Sequence, residues 1–143
     1  MKQFCIQMID FRVTSTWWKR LVKHFIKPGD AFEIRCWKEE VAEITEATFY
    51  GETVEDKNEV SIKGKITSEL LDLLLEEPLD KDIYNKMTRF FTVNVKNGAC
   101  DFCSAHYGTE MYIGVVSNED LTFCEQIMQE YGDSFSIHIY ESL

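Results

Sequence analysis

Residues 89–118 read RFFTVNVKNGACDFCSAHYGTEMYIGVVSN, and this stretch decides what type of sheet the chain builds. Apolar and β-branched residues dominate its two ends, residues 89–98 and 109–118, as is typical of strands. The middle segment, which holds Cys100, Cys103 and His106, is predicted to be a hairpin connection or a long loop. Two strands joined in this way favour antiparallel pairing.

Outside this stretch, segments with the two-residue period of strands alternate with segments of helical period. Strands are predicted over residues 2–11, 31–37 and 134–143, with a strand, turn and strand over 52–66. Helices are predicted over residues 15–27, 38–51, 67–78 and 117–133, with one more short helix over 79–88. The sequence therefore predicts a single α+β domain over residues 1–143, with a mixed, mostly antiparallel sheet and about four helices packed on it.

Two of these helices pose questions about which side chains are buried. Trp17 and Trp18 are adjacent, so on a helix they point about 100° apart. One of them is expected in the core and the other at its rim, or else in a contact with another protein. In the next helix Val41, Ile44, Ala47 and Thr48 have helical spacing, as residues of one inward face would.

Composition restricts the class of function. The net charge is −10, which argues against general affinity for nucleic acid or for an anionic membrane. No apolar run approaches the roughly 20 residues of a membrane span, and residues 1–11 lack the pattern of a secretory signal. These features predict a cytoplasmic protein. Because the cytoplasm is reducing and the chain has an odd number of cysteines, five, a disulfide framework is not expected.

Cys100, Cys103 and His106 form the one cluster with the spacing of metal ligands. A structural zinc site needs four ligands and usually two cysteine pairs, whereas this chain has a single pair. A redox dithiol places its first cysteine at the start of a helix, but a strand-like segment follows here. An unremarkable loop is therefore the favoured interpretation, and zinc binding or thiol chemistry at these three residues is the alternative.

Charge is distributed unevenly along the chain. Residues 1–38 carry eight basic and three acidic side chains, whereas residues 39–143 carry seven basic and twenty-two acidic ones. Acid is densest over residues 39–59 and 69–82. Exposed helix faces are often acidic for solubility alone, but such a surface also steers a basic partner. The partner-binding residues predicted on this basis are Glu39, Glu40, Glu43, Glu46, Glu55, Asp56, Glu59, Glu76, Glu77 and Asp80.

The sequence contains no Gly-X-Ser-X-Gly elbow and no phosphate-binding glycine loop, which favours a protein that is not an enzyme. The main hypothesis is a binding protein whose acidic surface meets a basic protein. In size, charge and lack of catalytic motifs, the chain resembles the immunity proteins that neutralise bacterial toxins. This likeness implies an inhibitor of a basic toxin or nuclease.

Overall fold

The computed structural model describes residues 2–76, 86–98, 100–114 and 117–141. The strands are β1 (Lys2–Met8), β2 (Ala31–Trp37), β3 (Glu52–Glu55), β4 (Glu59–Lys65), β5 (Thr92–Asn97), β6 (Cys100–Ala105), β7 (Glu110–Gly114) and β8 (Phe135–Glu141). The helices are α1 (Thr16–Phe25), α2 (Val41–Thr48), α3 (Ser68–Leu74) and α4 (Asn118–Gln129), and a short 3-10 turn spans Gly132–Ser134.

All eight strands join one sheet in the order β3-β4-β2-β5-β6-β7-β1-β8. Every pairing is antiparallel. Together with the four helices of the described residues, this confirms the predicted α+β domain. The predicted strand, turn and strand over 52–66 is also confirmed, because β3 and β4 form a hairpin around residues 56–58.

The two faces of the sheet differ in character. Side chains of one parity, such as Phe4 on β1 and Ile34 on β2, lie with the apolar helix residues in a single buried cluster. Side chains of the other parity, such as Glu33 and Asn94, line a sheet face that no described helix covers, which is a common arrangement in antiparallel sheets. We call this second face the open face.

The predicted loop at Cys100 is wrong, because Cys100–Ala105 is strand β6, paired with β5 on one side and β7 on the other. Asn97 lies opposite Cys100, and its Oδ1 accepts the Cys100 N–H at 3.1 Å, which closes the first hairpin. In the second hairpin His106, Tyr107 and Gly108 all have positive φ. A side chain at Gly108 would meet Met87 and the Trp18 ring within 3.0 Å, so this turn needs glycine.

The expectation that one tryptophan lies at a rim is also wrong, because Trp17 and Trp18 are both fully buried. Trp17 packs edge-on against Phe135 with ring centroids 4.8 Å apart. Trp18 donates its indole N–H to Ser104 Oγ on β6 at 3.0 Å, whereas the Trp17 indole N–H has no hydrogen-bond partner among the residues that the structure describes. Two faces of α1 are therefore used for packing, and the pair is structural.

The starts of two helices follow their capping residues. Thr67 Oγ1 accepts the Leu70 N–H at the start of α3, and Ser117 Oγ accepts the Asp120 N–H at the start of α4. Most of the short helix predicted over 79–88 lies outside the described residues, and residues 86–88 are not helical. Among the helices described, none combines the length and the apolar character that crossing a membrane requires.

Candidate functional site

The outward side of α2 is apolar, contrary to the expectation that Val41 lies in the core. Ala47 is buried and Ile44 packs against the core. Val41 and Phe49, by contrast, are 67% and 84% exposed. Residues four apart stack on one side of a helix, so Val41, Thr45 and Phe49 form one outward stripe. Large apolar side chains grouped on a surface are characteristic of contact sites.

Strand β3 follows α2 in the chain and contacts the end of this helix. Thr48 of α2 and Thr53 of β3 share a hydrogen bond of 3.2 Å between their hydroxyl oxygens. Glu55 has the same parity as Thr53, so it lies on the side of β3 that faces α2. We define the α2 surface as the stripe Val41, Thr45 and Phe49 together with Glu39 and Glu55.

At its other end, α2 is fastened to the sheet by Glu40. One carboxylate oxygen of Glu40 accepts the backbone N–H of Trp37 at 2.9 Å, and the other accepts the Tyr107 hydroxyl at 3.0 Å. Trp37 in turn packs against Phe91, with ring centroids 4.8 Å apart. Glu40 therefore holds the start of α2 against β2 and the turn after β6, which is a structural role.

Two of the predicted partner-binding residues converge on Arg89. The guanidinium of Arg89 lies 2.6 Å from a Glu46 carboxylate oxygen and 3.1 Å from one of Glu76. The Arg89 side chain is only 10% exposed. Because Glu46 belongs to α2 and Glu76 follows α3, this arginine brings the two acidic segments of the sequence together. One positive charge lies beside two negative charges, so the cluster of Arg89, Glu46 and Glu76 keeps a net negative charge.

Asp56 and Glu59 belong to a second cluster, which lies on the open face. Arg35 is 3.5 Å from Asp56, 3.3 Å from Glu59 and 3.1 Å from Glu33. Glu33 also accepts hydrogen bonds from Ser61 and from Asn94. Burial alone would raise the pKa of Glu33, but these hydrogen bonds and the Arg35 charge lower it below its usual value.

The predicted residues thus divide into three groups. Glu77 and Asp80 lie outside the described residues. Glu40, Glu46, Asp56, Glu59 and Glu76 are already engaged within the chain. Glu39, Glu43 and Glu55 have no hydrogen bond or ion pair to another side chain of the described residues. Glu39 and Glu55 belong to the α2 surface, whereas Glu43 lies on the side of α2 opposite the stripe.

Cys100 and Cys103 lie three residues apart on a strand, so their side chains point to opposite faces of the sheet. Cys100 packs against the core, and its burial raises the pKa of its thiol to about 11. Burial also raises the pKa of Cys103, which lies on the open face. His106 lies in the turn beyond β6, 3.7 Å from Glu110. Among the described residues no three His, Cys, Asp or Glu side chains are grouped to hold a metal.

The other three cysteines are buried or half-buried, and His24 contributes to packing between two helices. Cys36 and Cys124 are buried, and burial raises the pKa of each thiol to about 12, whereas Cys5 is half-buried on the open face. His24 stacks on Phe123 with ring centroids 4.0 Å apart, and its Nε2 lies 2.7 Å from Asp120. These contacts join α1 to α4. The hydrogen bond from His24 is the main reason that the pKa of Asp120 is lowered.

A shallow depression of about 490 Å³ on the open face is the second candidate site. It is lined by Glu33, Lys63, Asn94, Lys96, Asp101 and Cys103, among others. Its main carboxylate, Glu33, already accepts hydrogen bonds from three side chains. The Cys103 thiol, with its raised pKa, is a poor nucleophile at neutral pH. The depression therefore offers polar contacts but no arrangement of nucleophile and base.

The exposed stripe of α2 was not predicted from the sequence. The residues Val41, Ala42, Ile44, Ala47 and Phe49 cover an apolar arc wider than one helix face, and Glu43 and Glu46 occupy the remaining side. Only part of so wide an arc can meet the sheet, and its width was the available signal. In comparisons with known proteins, the chain matches no protein-family model, no curated protein and no solved structure.

Proposed function

We propose that this chain is a non-enzymatic binding protein and that the α2 surface receives a basic protein partner. The observation that carries the proposal is the exposed stripe of Val41, Thr45 and Phe49 bordered by Glu39 and Glu55. Interfaces commonly place apolar anchors at the centre and polar groups at the rim. An apolar centre with an acidic rim complements an apolar knob surrounded by lysine and arginine.

The finer part of the proposal is that the partner is a basic toxin or nuclease and that binding inhibits it, as immunity proteins do. Support comes from the excess of acid over residues 39–143, which raises the rate at which a basic enzyme is captured. An inhibitor needs no catalytic group of its own, because covering the substrate-binding site of the enzyme suffices.

The test uses the basic proteins encoded beside the gene for this chain, with binding measured by surface plasmon resonance at low and high salt. We expect Glu39→Lys with Glu55→Lys to slow association about tenfold at low salt and to flatten its salt dependence. The matched control is Glu125→Lys with Asp133→Lys, which makes the same change in net charge on exposed residues outside the α2 surface. Equal slowing by both pairs would mean that overall charge, and not this surface, attracts the partner.

The apolar stripe is tested with Phe49→Ser, which removes an exposed anchor and should leave the fold intact. We expect dissociation to become about 30-fold faster, the equivalent of about 2 kcal/mol at a central contact. Ile9→Ser is the control, because Ile9 is also an exposed apolar residue but lies beside β8, at the opposite edge of the sheet. If a bound partner keeps its full nuclease activity at saturation, binding stands and the inhibitor role is rejected.

A further inference from the structure

The two edges of the sheet differ in how well they are protected against pairing with another chain. Edge strand β3 has four residues, two of which are glutamates, and Thr53 contacts α2. Edge strand β8 has seven residues, FSIHIYE, and pairs with β1 over its whole length without a bulge. It contains no lysine, arginine, proline or glycine, and Glu141 at its end is its one acidic residue. Bulges, charged side chains and proline are the features with which proteins usually protect an edge strand, and β8 has few of them.

Strand β8 also carries apolar side chains beyond the point where the helices cover the sheet. Ile139 lies opposite Phe4, and Ile137 lies opposite Ile6. Phe4 and Ile6 are buried, whereas Ile137 and Ile139, on the same face, are 38% and 43% exposed. The apolar layer of the sheet therefore continues on to β8 and is left partly open to water there.

The sequence of β8 is self-complementary about His138. If two copies pair antiparallel with His138 opposite His138, Ile137 of one copy lies opposite Ile139 of the other. Ser136 lies opposite Tyr140 on the open face in the same arrangement. Over residues 136–140 a two-fold axis through His138 thus matches apolar with apolar and polar with polar, as an isologous interface requires, and at each end Glu141 lies opposite Phe135. Directly opposite β-branched pairs stabilise a sheet.

Charge does not oppose this pairing, although each copy carries −10. The free acid of the α2 surface lies at the β3 edge, which is seven strand spacings from β8. At about 4.8 Å per spacing the separation is about 34 Å, several times the Debye length of about 8 Å at physiological salt. Near β8 Arg20 pairs with Glu130 at 2.6 Å and Lys2 lies opposite Glu141, and Asp133 is the exposed acid that shortly precedes the strand.

We propose that β8 is a self-association edge, and that two copies of this chain pair β8 to β8 about His138 to form one continuous sheet of sixteen strands. Ile137 and Ile139 of both copies form the apolar centre of the interface. The α2 surfaces lie at the two distal ends, so self-association and partner binding do not compete. This inference does not depend on the proposed function.

The oligomeric state of the full chain is measured by sedimentation velocity and by size-exclusion chromatography with light scattering. We expect a mass of twice 16.8 kDa at high concentration. Ile139→Lys, which places a charge on the exposed edge, should raise the dimer dissociation constant at least about tenfold. The control is Val54→Lys, which makes the same charge change at an exposed apolar residue of the other edge strand. Circular dichroism checks that both variants are folded.

The register is tested by mixing Ser136→Cys copies with Tyr140→Cys copies, both in a Cys5→Ser background. Each variant alone lacks an opposing thiol, so mild oxidation should give disulfide-linked dimers in the mixture only. A wild-type monomer at every soluble concentration would overturn the proposal, even if the edge then bound an extended peptide. A dimer that survives Ile139→Lys, or that fails to cross-link in the mixture, would place the interface elsewhere and would equally overturn it.

Discussion

Replacement of Arg89 is expected to destabilise the fold, because this arginine joins α2 to the end of α3. Its side chain is 10% exposed, and its guanidinium contacts Glu46 at 2.6 Å and Glu76 at 3.1 Å. Arg89→Met keeps most of the aliphatic volume and removes both ion pairs. The perturbation therefore isolates the charge interaction from packing.

The magnitude follows from the exposure of the three partners. Breaking a fully buried ion pair costs about 3–5 kcal/mol, because the remaining charge stays without water. Here both glutamates are substantially exposed, so hydration of their carboxylates offsets part of the interaction energy lost with Arg89. Hydrogen bonds to charged groups contribute about 1.5–3 kcal/mol each before that recovery, and we expect a net loss of about 2 kcal/mol. For 143 residues this lowers Tm by about 7 °C.

The assay is thermal and urea unfolding followed by circular dichroism, at low and at high salt. Arg12→Met is the control, since Arg12 pairs with Asp10 on the surface and is almost fully exposed, so no measurable change in Tm is expected. A second comparison combines Arg89→Met with Glu46→Gln, whose effects should be less than additive if the two side chains interact. Unchanged stability in Arg89→Met, or an equal loss in Arg12→Met, would refute the reasoning.

Two further predictions concern pH and the cysteines. The folded pKa of Glu33 is lowered, so the stability it contributes is complete above the usual glutamate value of 4.5 and is lost as the pH falls through the folded pKa. Acid titration of unfolding should therefore be less steep below that value for Glu33→Gln than for the wild type, and identical slopes would contradict this. In native mass spectrometry after addition of zinc, Cys100→Ser should leave the bound mass unchanged, because Cys100 and Cys103 face opposite sides of the sheet. Loss of one zinc per chain would restore the metal hypothesis.

The sequence by itself determined the elements whose signals lie between neighbours in the chain. Helices α3 and α4 start where Thr67 and Ser117 cap them, because a cap needs only residues two or three positions away. Strand β8 shows its alternation in seven consecutive residues, and the β3–β4 hairpin has its turn where the sequence is polar. Such local patterns were sufficient to predict the α+β class.

Only the tertiary structure decided what depends on distant segments. Cys100–Ala105 has one large apolar residue, Phe102, and becomes a strand because β5 and β7 supply hydrogen bonds on both sides. Packing against the sheet determines which part of the apolar side of α2 is buried, so Val41 is exposed although its spacing fits a core position. Arg89 joins acidic segments that are far apart in sequence. These outcomes follow from packing and long-range pairing, whose energies no short window of sequence contains.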